Sequence, residues 1–223
     1  MLPTDGPAEI PPPHLVWLLD CSSSMLESGK KAAAKFAVAE FVAGMRDEAA
    51  TGVAPPPGGP PLVSMLGFAA GAHWACEAVP LETFEWSDSW WSGPPVRATD
   101  LGASLRELVA ASPRLMARRG SAVVIVLVTD GQPTDDWRDG LRALDATTWG
   151  RSAVRVAVKI GHDAQEQVLR AFSPQREPCG VTDARYEVIA ALYEAGPAAA
   201  DPQSADEFGF CDDGDDEDAS VTW

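Results

Sequence analysis

Residues 15–24 read LVWLLDCSSS, an apolar run followed at once by polar oxygen donors. The first five residues are all apolar and end at an acid, so they predict a buried strand. The acid Asp20 comes next, and two hydroxyl side chains follow it at alternate positions, Ser22 and Ser24. Oxygen atoms of this kind are the ligands that hard divalent cations take. We interpret the turn after this strand as a candidate metal-binding site.

The charges of these ligands indicate what such a site does. Hydroxyl groups neutralise no charge, and the carboxylate of Asp20 neutralises only part of the charge of a divalent ion. An ion held in this way keeps affinity for an oxygen anion from outside the chain. The residues therefore predict a binding site rather than a catalytic one.

Apolar runs and helical periods alternate along the rest of the chain. Strands are predicted at 15–19, 62–69, 74–79, 122–129 and 154–160. Helices are predicted at 29–49, 101–111, 137–144 and 163–172. This alternation predicts an α/β protein of three layers, in which helices cover both faces of a mostly parallel, Rossmann-like sheet.

The segment 122–129 is the predicted central strand of this sheet. Five of its eight residues are Val or Ile, which indicates burial on both faces. It ends at Asp130. Because ligands of open α/β sheets bind beyond the carboxyl ends of the strands, Asp20 and Asp130 should emerge at the same edge.

Two helices carry more detailed predictions. The helix at 29–49 should bury one stripe with a single polar interruption, formed by Ala33, Phe36, Ala37, Glu40, Phe41 and Met45. The helix at 137–144 follows Thr134, Asp135 and Asp136. Thr134 is its predicted N-cap, and the two acids would lie in the first turn, where the helix dipole favours negative charge.

Composition excludes two classes of partner. A net charge of -16 does not suit a nucleic-acid backbone, which is bound by clustered Lys and Arg. No apolar run approaches the roughly 18 residues that a membrane helix needs.

The four cysteines have irregular spacing, which is typical of reduced thiols, and residues 1–14 lack the charged and apolar regions of a secretory signal. We therefore predict a cytoplasmic location.

Shifts in composition divide the chain into three segments. Residues 1–12 are Pro-rich, residues 13–196 form the predicted domain, and residues 197–223 form an acidic tail. From residue 201 onward the tail holds nine acids and no Lys or Arg. It has too little apolar content to fold alone, so we expect it to be solvated and disordered.

Three motifs occur in a meaningful order. They are DCSSS at residues 20–24, Thr99 at the start of a predicted helix, and TDG at residues 129–131. Together they resemble the von Willebrand factor A (VWA) family and its metal-ion-dependent adhesion site (MIDAS). The resemblance covers about residues 13–196 and implies the VWA fold.

The resemblance also implies a ligand set. Ser22 and Ser24 would bind Mg²⁺ directly, Thr99 directly or through water, and Asp20 and Asp130 mainly through waters that they orient. Mn²⁺ and Ca²⁺ are alternative ions. A carboxylate from a partner would complete the coordination, which agrees with the tendency of Mg²⁺ to keep several waters and few charged protein ligands.

A longer match lies at residues 128–137, VTDGQPTDDW. It resembles the TDG-x-PTDDW stretch of bacterial tellurium-resistance-associated VWA proteins. That branch implies a non-enzymatic cytoplasmic adaptor in a bacterial stress-response or kinase- and phosphatase-linked signalling system. The implied partner is a protein with an acidic or phosphorylated residue, such as a kinase or a phosphatase.

The chain departs from the family pattern at three positions. Cys21 and Ser23 stand where Thr and Gly are common, and Ala98 stands where Gly is usual. No ligand oxygen is lost, but Ser23 and Ala98 restrict a backbone that Gly would leave free. As a middle residue of the motif, Cys21 should point away from the ligand oxygens and be buried.

The loop at residues 85–93, EWSDSWWSG, leads toward Thr99. It contains Trp86, Trp90 and Trp91, and interface hot spots are enriched in Trp. We predict that these rings form a partner-binding rim. The alternative is that they pack back onto the domain.

Two other functions remain open. A Mg²⁺-dependent phosphohydrolase of the haloacid dehalogenase type also begins with an aspartate after a first strand, but its general acid would fall at Ser22. An acidic decoy or inhibitor would instead bind a basic protein through the charge of the tail.

Overall fold

The computed structural model describes residues 10–91, 96–115, 120–162 and 164–195. Its strands are β1 (His14–Asp20), β2 (Leu62–Ala69), β3 (Gly71–Pro80), β4 (Val123–Thr129), β5 (Val154–Lys159) and β6 (Cys179–Gly180). Its α-helices are α1 (Lys30–Ala50), α2 (Leu101–Leu115), α3 (Trp137–Ala146), α4 (Thr148–Ser152), α5 (Glu166–Phe172) and α6 (Ala184–Glu194). Three short 3₁₀ helices lie at Ser23–Leu26, Leu81–Thr83 and Asp88–Trp91.

The six strands form one sheet in the order β3-β2-β1-β4-β5-β6. All neighbouring strands are parallel except β2 and β3, which are antiparallel, so β3 is an antiparallel edge strand. The predicted α/β class with a mostly parallel sheet is confirmed. Parallel order is the reason that β1 and β4 end at the same edge.

Two apolar cores lie on opposite faces of the sheet. In β1, Trp17 and Leu19 belong to the core that α1 and α6 cover, whereas Val16 and Leu18 belong to the core under α2, α3 and α5. Strand β4 alternates in the same way and is fully buried. Burial on both faces explains why these two strands are continuous apolar runs.

The predicted stripe of α1 needs a correction. Phe36 is 48% exposed. The residues that α1 buries against the sheet are Ala34, Ala37, Val38, Phe41, Val42, Gly44 and Met45. Small residues on both sides of the helix made the apolar face ambiguous in the sequence, and packing against α6 selected this face.

Two helices were not predicted, α4 and α6. Helix α4 has only five residues. In α6 apolar residues occur on most sides, and the structure buries Val188, Ile189 and Leu192 among others. Neither segment gives a clear helical period, because that signal requires polar residues on one side.

Residues 1–9 and the predicted tail at 197–223 lie outside the described residues, and the predicted domain bounds stay predictions. None of the helices that the structure describes is long and apolar enough to cross a membrane.

Burial of His14 should make the stability of the protein depend on pH. His14 is 2% exposed, its Nε2 lies 2.7 Å from Ser64 Oγ, and burial lowers its pKa from 6.5 to about 4. Between these values the unfolded chain binds a proton that the folded chain does not, so stability falls as pH falls from 6.5 to 4. Burial of His14 should therefore lower the free energy of unfolding by about 3 kcal/mol between pH 7 and pH 4.

Urea unfolding at pH 7 and pH 4 measures this effect. His14→Gln should reduce the loss of unfolding free energy between the two pH values by about that amount. His162→Gln, which changes an exposed histidine, serves as the matched control and should behave as the wild type. An equal pH dependence in His14→Gln and the wild type would contradict the prediction.

Candidate metal centre

The candidate site lies where β1 and β4 end side by side. Leu19 pairs with Val128 in parallel register, so the turns after the two strands begin at the same level. Asp20, Thr129 and Asp130 are all buried there. Residues more than 100 positions apart in the sequence are thereby brought into direct contact.

Asp20 is held by both of its carboxylate oxygens. The backbone N–H of Ser22 donates to Oδ1 at 2.9 Å, and the hydroxyl of Thr129 donates to Oδ2 at 2.6 Å. The side chain has no exposed surface, and burial raises the pKa of Asp20 even though these hydrogen bonds lower it. The carboxylate is therefore fixed in position, and a cation nearby would offset the cost of burying its charge.

Three further oxygens form a chain beside Asp20. The hydroxyls of Ser22 and Ser24 lie 3.0 Å apart, and Ser24 Oγ donates to Asp130 Oδ1 at 2.9 Å. Adjacent ligands of an octahedral Mg²⁺ lie about 3 Å apart, because each is about 2.1 Å from the ion. The spacing of these oxygens thus fits a small divalent cation.

Asp130 also makes an ion pair that the sequence analysis did not predict. The ammonium of Lys30 lies 2.7 Å from Asp130 Oδ2, and the side chains are 13% and 2% exposed. Lys30 is the first residue of α1. Nothing in the sequence pattern identified this contact, since the two residues are 100 positions apart.

Thr99 reaches the same edge from the segment before α2. It is 6% exposed, and its methyl group lies near the position that a side chain at Gly131 would take. The backbone N–H of Ser23 donates to Val96 O at 2.8 Å, so the turn after β1 is tied to the segment that carries Thr99. The structure therefore places all five predicted site residues at one edge of the sheet.

Thr134 fixes the Thr99 segment rather than capping a helix. Its hydroxyl accepts the N–H of Thr99 at 2.8 Å and donates to Asp100 at 3.0 Å, and its own N–H donates to the carbonyl of Thr99 at 3.0 Å. The predicted N-cap role of Thr134 is wrong, because Asp136 caps α3 by accepting the N–H of Asp139.

Asp135 was predicted to act on α3 but caps α2 instead. Its two carboxylate oxygens accept the N–H groups of Gly102 at 2.9 Å and Ala103 at 2.7 Å. These N–H groups belong to the first turn of α2, which has no partner for them within the helix. The PTDD stretch after β4 thus anchors the start of the helix that follows Thr99, a role visible only in the folded chain.

Gly131 lies where the site leaves no room for a side chain. A Cβ atom there would come within 2.6 Å of Thr129 Oγ1 and 3.0 Å of Asp20 Oδ2. By contrast, Ser23 and Ala98 need no glycine, because neither has a positive φ; the described non-glycine residues with positive φ are Ser28 and Ala78. The departures from the family pattern therefore leave the backbone unstrained.

The predicted Trp rim is placed only in part. Trp86 is half-buried, packs against the core under α1 and donates its indole N–H to Asp88 at 3.0 Å. Trp90 and Trp91 lie in a 3₁₀ turn, and their side chains are outside the described part of the structure. For Trp86 the geometry agrees with the packing alternative.

Cys21 points away from the hydroxyl oxygens, as expected, and its thiol donates to the carbonyl of Leu19, but the residue is only partly buried rather than fully buried. It packs against the core on the α1 side, and burial raises its pKa to about 12. The thiol is therefore protonated at neutral pH and is a poor nucleophile and a poor metal ligand. Cys76 and Cys179 are also free and half-buried, while Cys211 lies outside the described residues.

The acidic, histidine and cysteine side chains of the described residues do not cluster into a metal site by themselves. Among residues 10–91, 96–115, 120–162 and 164–195, no cluster of three or more His, Cys, Asp or Glu side chains could hold a metal ion. A site at this edge would have to use hydroxyl ligands, and hydroxyls together with carboxylates are typical of hard cations such as Mg²⁺.

Known structures resemble this fold at low sequence identity. Proximal thread matrix protein 1 from the mussel byssus matches with a TM-score of 0.60 and 15% identity over 86% of this chain and 49% of its own. The ArnB paralog VWA2 from Sulfolobus acidocaldarius matches with a TM-score of 0.56 and 16% identity over 82% of this chain and 45% of its own. This chain spans about half the length of both proteins.

Two further comparisons concern length and metal. An aerotolerance-related membrane protein from Bacteroides fragilis matches with a TM-score of 0.57 and 15% identity over 81% of this chain and 98% of its own. The mussel protein has also been solved with zinc in its MIDAS motif, in a structure that matches with a TM-score of 0.56, 16% identity and coverage of 82% of this chain and 47% of its own. No family model and no curated protein matches the sequence. The sheet order and these likenesses show that the chain has the von Willebrand factor A fold.

Proposed function

We propose that this chain is a non-enzymatic adaptor that binds an acidic or phosphorylated group of a partner protein through a divalent cation. The observation that supports it most directly is the cluster of hydroxyl and carboxylate oxygens at the end of β1 and β4, spaced 2.9 and 3.0 Å apart. The hydroxyls supply ligands without charge, so a bound ion would keep affinity for an anion.

Five residues would hold the ion. Ser22, Ser24 and Thr99 would supply hydroxyl oxygens, and Asp20 and Asp130 would supply negative charge and orient coordinated waters. When bound, the ion would serve as a Lewis acid for an oxygen anion of the partner. The N–H of Ser22 and the hydroxyl of Thr129 keep Asp20 in place, and Thr134 keeps the Thr99 segment in place.

Mg²⁺ is the proposed ion, with Mn²⁺ and Ca²⁺ as alternatives. Zinc in the MIDAS motif of the mussel protein supports a divalent cation on this fold. The VTDGQPTDDW stretch at residues 128–137 supports the tellurium-resistance-associated branch. The proposal therefore includes a cytoplasmic, bacterial signalling or stress-response role with a kinase or phosphatase as partner.

Loss of one hydroxyl ligand should weaken metal binding. We expect Ser24→Ala to raise the dissociation constant for Mg²⁺ about tenfold or more, because the substitution removes an inner ligand and the hydrogen bond that positions Asp130. Isothermal titration with MgCl₂ measures the change. Ser152→Ala, just before β5 at the opposite edge of the sheet, is the matched control and should bind as the wild type.

Partner binding should follow metal binding. Capture of a protein from cell lysate by the immobilised chain should be lost with EDTA, restored by Mg²⁺ and reduced by Ser24→Ala but not by Ser152→Ala. The proposal is wrong if the wild type shows no divalent-ion binding at millimolar concentrations. A partner retained equally with and without EDTA would favour binding through another surface.

A further inference from the structure

Lys30 occupies an unusual place at the start of α1. It is the first residue of this 21-residue helix, where the helix dipole disfavours a positive charge. Its ammonium nevertheless lies 2.7 Å from Asp130 Oδ2 in a setting where the lysine side chain is 13% exposed. The contact with Asp130 helps to offset both the dipole and the partial burial of the ammonium.

The backbone before α1 is shaped for this contact. Ser28 and Gly29 both adopt positive φ, 50° and 75°, so two consecutive residues lie in the left-handed region. A non-glycine residue is uncommon in that region and is strained there. This turn immediately precedes Lys30, which starts α1 beside Asp130 at the carboxyl end of β4.

Asp130 is shared between two sets of groups. Its Oδ1 accepts the hydroxyl of Ser24, which belongs to the proposed ligand set, and its Oδ2 accepts the ammonium of Lys30. The ammonium and a bound divalent ion would therefore both draw on the charge of one carboxylate. Two positive charges that share one buried carboxylate repel each other.

We propose that Lys30 is an internal cation that competes with the divalent ion for Asp130 and weakens metal binding. The inference rests on the proposed metal site. Counted over Asp20, Asp130 and Lys30 alone, the side chains carry one net negative charge, so a bound divalent ion brings this group to one net positive charge. Without Lys30 the loaded site is neutral. Lys30 thus weakens binding of the metal but strengthens the attraction of the loaded site for the partner's anion.

Isothermal titration of the full chain with MgCl₂ tests the inference. Lys30→Gln removes the charge but keeps a hydrogen-bond donor for Asp130, and it should bind Mg²⁺ about tenfold more tightly than the wild type. Lys30→Arg keeps the charge and should stay within about threefold of the wild type. Lys35→Gln is the matched control, because Lys35 lies on the same helix but pairs with Asp88 at the surface, where both side chains are well exposed.

A second measurement uses the wild-type chain and does not depend on how a variant folds. In side-chain NMR of the lysine ammonium groups, saturating Mg²⁺ should shift the signal of Lys30 more than that of Lys35. Equal or weaker Mg²⁺ binding by Lys30→Gln, or an unchanged Lys30 signal, would overturn the inference and leave the metal site standing. Absence of Mg²⁺ binding in all four proteins would overturn both.

Discussion

Asp20→Asn should raise the dissociation constant for Mg²⁺ at least about 100-fold. The substitution keeps the shape of the side chain, and its carbonyl oxygen can still accept the N–H of Ser22. It removes one negative charge from a position with no exposed surface. At an effective dielectric constant of about 20, the attraction between a nearby unit charge and a divalent ion is worth several kcal/mol, which corresponds to this loss.

The same variant should fold at least as well as the wild type when metal is removed. Burial raises the pKa of Asp20, which means that the folded protein disfavours the charged form of this side chain. A neutral isostere avoids that cost, so the melting temperature in EDTA should be unchanged or higher. Mg²⁺ should then raise the melting temperature of the wild type but not of the variant.

Asp47→Asn is the matched control for this experiment. It removes the same charge from an exposed position near the far end of α1. Titration with MgCl₂ should give the wild-type dissociation constant for this control. If Asp20→Asn also binds Mg²⁺ with wild-type affinity, Asp20 is not part of a metal site.

Gly102→Ala should lower the free energy of unfolding by about 2 kcal/mol or more and weaken Mg²⁺ binding as well. A Cβ atom at Gly102 would lie 2.4 Å from the carbonyl oxygen of Asp136 and 2.9 Å from Asp135 Oδ2. The first atom belongs to the backbone and cannot turn away. Helix α3 would have to shift, and Asp135 would lose its hold on the start of α2.

The effect on metal binding would come through Thr99. This residue lies just before α2, and its N–H and carbonyl are both bound by Thr134, which precedes α3. A displacement of α3 from α2 would therefore move the Thr99 hydroxyl relative to Ser22 and Ser24. Displacements of well under 1 Å are enough to weaken a site that requires octahedral geometry.

Gly44→Ala separates this close contact from the general effect of adding a methyl group to a helix. The three atoms nearest to a Cβ atom at Gly44 in α1 all belong to the flexible side chain of Arg185, which can shift, whereas a backbone atom cannot. Alanine also favours a helix over glycine by about 1 kcal/mol, so this control should be neutral or stabilising. Urea unfolding of both variants measures the difference. Equal stability of Gly102→Ala and Gly44→Ala would show that α2 and α3 adjust freely.

Patterns within single segments predicted most of the fold. The strand predicted at 62–69 matches β2. The strand predicted at 15–19 is one residue shorter than β1 at each end, and those at 122–129 and 154–160 are each one residue longer than β4 and β5 at one end. These segments are apolar on both faces, which leaves little ambiguity about a parallel core. Prediction failed where the periodic signal was weak, as in α6, or fitted more than one face, as for Phe36 in α1.

The motif residues at the carboxyl edge could also be located from the sequence. Each follows a strand or precedes a helix, and parallel strands bring their carboxyl ends to one edge whatever the loops between them do. Asp20 and Asp130 were expected at the same edge for this reason, and the structure places them there. Their role as metal ligands stays a prediction.

Contacts between distant segments could not be predicted from patterns within single segments. The ion pair of Lys30 with Asp130, the hold of Thr134 on Thr99 and the capping of α2 by Asp135 join residues 32 to 100 positions apart. Local pattern assigned Thr134 and Asp135 to the helix that follows them, since short-range rules consider only neighbouring residues. Fold class and the location of the site follow from periodicity and strand direction, which are properties of short segments. The partner of each polar group depends on how helices pack across the sheet, and only the folded chain sets those distances.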